Sequence, residues 1–167
     1  ALMNLDTAYN GSVYYSPSTL NVSGWKMANV SNTKMKVYID NSTTPIDDAQ
    51  ITYKKRDDVI SAIQGYGTSK ENEKPGFSFN INGSNMQSGT HTIKIVVYSK
   101  NDEKIQELES KIKIDRDLHV QYNAHVQYDG WQAWKVDGEM SGTEGRSLRV
   151  EALNIKLLNA PAGAGII

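Results

Sequence analysis

The chain has 167 residues, a formal net charge of −1 and no cysteine. Near-neutral charge offers no basic field to draw nucleic acid or an anionic membrane, and the missing cysteines exclude disulfides, thiolate metal sites and a cysteine nucleophile. No apolar run reaches the roughly 18 residues that a bilayer-spanning helix needs, and a hydrophobic fraction of 38% suits β cores in which alternate positions are buried.

In chain order, residues 1–10 read as a loose lead-in, with Asn10-Gly11 as a turn. Val13-Tyr14-Tyr15 starts a domain and Leu20–Met27 reads as its next strand. Met35–Ile39 alternates cleanly, and the loop at Asn41–Pro45 precedes a further strand over Ala49–Tyr53. The character changes at 54–66, where Asp57-Asp58 suits the cap of a short helix through Ile63, ended by Gly65. Gly76–Ile81, Gly89–Tyr98 and Ile105–Ile114 are strands, the first closed by an Asn82-Gly83 turn. The sign-alternating charges between Lys100 and Lys113 read as a solvated strand face. Short strands separated by turns over 11–115 predict an immunoglobulin-like β-sandwich.

Two resemblances follow. Val22-Ser23-Gly24-Trp25, Lys36–Asp40, Arg56–Val59, Gly76–Phe79 and Ser88–Ile93 resemble an Ig-like domain of secreted bacterial wall-associated proteins, with Asp57 standing where such domains carry a proline after the arginine. That resemblance implies an exported modular protein and does not imply catalysis.

After the boundary at Asp115-Arg116-Asp117, residues 116–160 form a second module. Val120, Tyr122, Ala124 and Val126 alternate as a strand, Asp129-Gly130 and Asp137-Gly138 are turns, Gly142 and Gly145 bracket a loop, and Leu148–Leu157 returns as a strand. Tyr122, His125-Val126-Gln127, Gly130-Trp131-Gln132, Gly138, Ser141–Gly145, Leu148-Arg149 and Glu151–Ile155 resemble the clostridial hydrophobic repeat with a characteristic tryptophan, the ChW repeat. The predicted fold is thus all-β: an Ig-like sandwich followed by a small, hairpin-rich ChW repeat module. Because such repeats come in tandem, the resemblance implies that 161–167 is a spacer to a further copy.

The aromatic group His125, Tyr128, Trp131 and Trp134, with Gln132, is the candidate ligand-binding site. Flat aromatic faces suit sugar rings, and the same side chains suit a protein interface. Against this stands a structural reading in which Trp131 is the core of a very small module, with Trp134 open to either role. His119 and His125 share a strand face but lie roughly 20 Å apart if the strand is straight, so no metal site is expected. Asp57-Asp58 reads as a cap or solvated loop ahead of a calcium or acid–base site. No G-x-S-x-G, H-E-x-x-H or GxxxxGK motif occurs. The sequence therefore predicts a non-catalytic secreted or surface fragment without cofactor or metal. Its expected partner is a cell-wall or host glycan, or alternatively an extracellular protein, with no nucleic acid and no membrane insertion.

Overall fold

Alternating apolar residues separate into two layers in the first part of the chain, because each strand can bury only every second side chain. The computed structural model describes residues 1–66 and 69–166. The chain divides into two compact units, Ala1–Asp115 and Arg116–Ile167. Ile167, the end of the expected spacer, lies outside the described residues.

The first unit contains β1 (Leu2–Leu5), β2 (Val13–Tyr15), β3 (Thr19–Met27), β4 (Lys34–Ile39), β5 (Ile46–Asp47), β6 (Thr52–Lys54), the helix α1 (Asp57–Ala62), β7 (Gly76–Asn82), β8 (Gly89–Tyr98) and β9 (Lys104–Asp115). One sheet has the order β1-β3-β7-β6 and the other β2-β9-β8-β4-β5. With β1, β3, β7 and β6 as strands A, B, E and D, and β9, β8, β4 and β5 as G, F, C and C′, these are the two sheets of an immunoglobulin-type sandwich. All pairings are antiparallel except β2 with β9, where Val13–Tyr15 run parallel to Lys113–Asp115.

Leu20, Val22, Phe77 and Phe79 from one sheet meet Met35, Val37, Ile93, Ile95, Ile112 and Ile114 from the other in one core, all at most 3% exposed. Burying each such side chain contributes about 1.5–3 kcal/mol. Gly24 lies opposite Leu5 in the β1–β3 pairing. A Cβ there would stand 2.2 Å from the Asn4 carbonyl oxygen and 2.8 Å from the Phe77 ring.

Three expectations need correction. Residues 1–10 are no loose lead-in, since Leu2–Leu5 pairs with Gly24–Met27 and Leu5 and Ala8 are buried. Ala49–Tyr53 is split, with a 3-10 turn at Asp48–Gln50 before β6. The short helix is present, but Arg56 occupies its N-cap position, with Asp57 and Asp58 in the first turn. Asp57 thus stands at the first helical position, which tolerates proline because its N–H needs no helical partner.

The second unit contains β10 (His119–Val126), β11 (Gly130–Trp131), β12 (Lys135–Val136) and β13 (Val150–Leu158). β13 pairs along the whole of β10, from His119 opposite Leu158 to Val126 opposite Val150, with one bulge beside His125. The short strands β11 and β12 pair with opposite ends of β10 and so share its other edge.

Candidate functional site

β10 organises the second unit, and its period of two divides the sheet into unlike faces. On one face lie Gln121, Asn123 and His125, with their β13 partners Lys156, Asn154 and Ala152. On the other lie Val120, Tyr122 and Ala124, opposite Leu157, Ile155 and Leu153. The first face is polar and aromatic, and the second is apolar.

Trp131 pairs with His125 across β10–β11. Their rings meet edge to face, with centroids 5.2 Å apart and an interplanar angle of 79°, the arrangement in which a positive ring edge meets a negative ring face. Trp134 reaches the same face, where the Lys156 ammonium sits 4.4 Å from its ring centroid. Trp131 is 50% exposed and Trp134 43%. The reading of Trp131 as the module's core is therefore overturned; the buried apolar residues of this unit are the small Ala124 and Val126 among the described residues.

Between the indoles runs an amide ladder. Asn154 Nδ2 donates to Asn123 Oδ1 at 3.1 Å, and Asn123 Nδ2 donates to the Gln132 carbonyl at 3.1 Å. Gln132 is held at both levels: its backbone N–H donates to Ala124 O at 2.8 Å, and its side-chain amide donates to Gly130 O at 3.3 Å. Tyr128 stands apart at the tip of the β10–β11 turn, 88% exposed, with φ of +67°. A bulky residue in the left-handed region is strained, and such strain collects at functional turns. This turn therefore differs from a two-residue Asp129-Gly130 hairpin, because Tyr128 and Gly130 hold positive φ and Asp129 does not. Asp129 instead pairs with Arg146 through both carboxylate oxygens. Asp137 and Gly138 do both hold positive φ, as a type I′ turn requires.

The two histidines face different carboxylates. His119 bonds Asp137, and His125 Nδ1 lies 3.3 Å from Glu151 Oε2. No group of three or more His, Cys, Asp or Glu side chains is placed to hold a metal ion among the described residues. Asp57 and Asp58 are likewise taken by cations. Asp57 pairs with Lys55 at 2.7 Å. Asp58 accepts from Arg56 Nε at 2.8 Å and from Nη2 at 2.6 Å, and these bonds hold its carboxyl down at about 2. A carboxylate held ionised by an arginine fork is a poor proton donor near neutral pH.

The indoles, His125 and Gln132 were all legible as candidates, whereas Lys156 and the Asn123–Asn154 pair were not. Their only signal is strand register, which brings residues more than thirty positions apart side by side.

Compared with known proteins, residues 125–159 match the ChW family, described as Clostridial hydrophobic W. The fibronectin(III)-like modules of CbhA from Clostridium thermocellum are similar at 14% identity and a TM-score of 0.39, over 68% of this chain and 96% of that one. No curated protein matches. No helix among the described residues is long and apolar enough to cross a membrane.

Proposed function

We propose that this chain is a non-catalytic binding piece of a secreted or surface bacterial protein, in which an Ig-like sandwich carries a ChW-type module that recognises cell-wall or host polysaccharide. The observation that supports this reading is the placement of two half-exposed indoles, Trp131 and Trp134, on one polar sheet face. Apolar sugar faces stack on such rings, while Gln132, the exposed Asn154 and His125 offer hydrogen bonds to hydroxyls. Tyr128 offers a separate exposed ring at the turn tip. The match to the ChW family over residues 125–159 fits a non-catalytic extracellular module.

The test is intrinsic tryptophan fluorescence during titration with peptidoglycan fragments and soluble polysaccharides. The wild type, Trp134→Ala and Trp25→Phe are compared. A saturable change lost in Trp134→Ala and kept in Trp25→Phe supports a glycan site on the module. Silence across the panel, with all three proteins folded, removes it.

The reverse face favours a second reading, a protein–protein module that organises extracellular assemblies or targets a catalytic domain. Val120, Leu153 and Ile155 lie there at 40%, 53% and 45% exposure, and clustered exposed apolar side chains mark interaction surfaces. Saturable protein capture, insensitive to glycan and abolished by Leu153→Asp, would favour this second role.

A further inference from the structure

The first unit carries a cavity of about 430 Å³ beside the β3–β4 connection, within the size range of small-molecule sites. Its floor departs from the rule that orders the rest of β3. Leu20, Val22 and Gly24 alternate inward, and the next inward position is Lys26, 5% exposed. The Lys26 ammonium donates to Glu71 Oε1 at 2.7 Å and to Thr33 Oγ1 at 2.6 Å, and lies 5.5 Å from the Tyr53 ring centroid. A buried ion pair adds little stability over an apolar pair of the same volume, so this one calls for another role.

Both carboxylates of the cavity are already engaged. Glu71 also accepts from the Thr33 N–H at 3.3 Å and from the Thr33 hydroxyl. Asp48 Oδ1 accepts from the Met35 N–H at 2.9 Å and from the Tyr53 hydroxyl. The cations are not balanced in the same way. Lys70 and Lys74 also line the cavity, are exposed, and make no side-chain hydrogen bond or ion pair among the described residues. The same holds for the side chains of Ser31 and Asn32, which also line the cavity, among the described residues. An incoming ligand therefore meets two unpaired ammonium groups, a hydroxyl and an amide, over a floor where Lys26 balances Glu71 and Asp48 keeps its charge, so that the three lysines against two carboxylates leave the lining with a net charge of +1.

We infer that this cavity binds a carboxylate-bearing sugar residue, with Lys70 and Lys74 on the carboxylate and Ser31 and Asn32 on ring hydroxyls. The site lies in the first unit and stands independently of the indole face of the second.

The experiment is a ¹⁵N-NMR titration of the full chain with glucuronate, read at the Thr33 and Glu71 amides. Glucose and N-acetyl-aspartate serve as comparison ligands at matched ionic strength. Saturable shifts with glucuronate, absent with glucose and weaker with N-acetyl-aspartate, are expected. The exposed double variant Lys70→Ala/Lys74→Ala should keep its spectrum elsewhere and bind glucuronate about tenfold more weakly. No response to glucuronate, an equal response to glucose or N-acetyl-aspartate, or undiminished binding by the folded double variant would each overturn the assignment.

Discussion

The Lys156 ammonium lies 4.4 Å from the centroid of the Trp134 ring, so one face of this indole is occupied by a cation while 43% of the residue stays exposed. The lysine orients the ring from β13, and the exposed surface is left for stacking. Lys156→Ala is expected to cost the unit about 0.5–1 kcal/mol while lowering retention on insoluble polysaccharide, because the ring loses its fixed orientation. A pull-down beside a urea melt separates the two effects. Unchanged retention would leave Lys156 with a structural role alone.

His91 stands near the start of β8, where immunoglobulin domains often carry a tyrosine that bonds back to the chain upstream. Its ring nitrogens lie 2.8 Å from Asp40 Oδ2 and 2.8 Å from the Gln87 carbonyl. Both partners accept, so only the imidazolium satisfies the two together. Burial by itself would lower the pKa of His91, but the bonds to Asp40 and Gln87 prevail and raise it above the ordinary 6.5. With a raised folded value, the stabilisation is complete below the unfolded pKa and is lost as pH rises through the folded one. The urea midpoint of the wild type should therefore fall as pH rises past the ordinary 6.5 and through the raised folded value, and this dependence should shrink in His91→Gln. An equal slope in both proteins would refute the role of the ring.

Glu71→Gln leaves the Lys26 ammonium buried without its countercharge and should destabilise the sandwich by about 3–5 kcal/mol. The double variant Lys26→Met/Glu71→Leu should recover most of that loss, which thermal unfolding would show. The same pair responds to acid. Burial pushes the Glu71 pKa up, but bonds from Lys26 and Thr33 outweigh it and hold it below the usual 4.5. Its contribution is present above the unfolded pKa and disappears as pH falls through the folded one. Acid unfolding should thus begin at higher pH in the wild type than in the double variant.

Gly24→Ala should cost about 1–3 kcal/mol, because a Cβ at this position meets the Asn4 carbonyl 2.2 Å away, and backbone cannot yield as a side chain can. Gly11→Ala makes the contrast. Its Cβ would meet nothing within 4 Å, yet its φ of +90° makes any side chain there strained on conformational grounds alone. Circular-dichroism melts of the two variants would separate overcrowding from backbone strain.

Alternation and turn chemistry are local properties, written over a few neighbouring residues, and they were enough to mark the long strands β3, β4, β7, β8, β9, β10 and β13. The short helix after Arg56 was visible for the same reason. The strand β1 was missed because Leu2–Leu5 is brief and its register with Gly24–Met27 is decided by pairing across the chain. The indoles, His125 and Gln132 could be named as candidates from residue type, but their exposure depends on how little a sheet centred on Ala124 and Val126 can enclose. Lys26 reads in the sequence as an ordinary strand lysine. Alternation with Leu20, Val22 and Gly24 already puts it on the inward side of β3, but only the folded chain brings Glu71, 45 positions away on a 3-10 turn, against it, because charge pairing belongs to contacts in space and not to order along the chain.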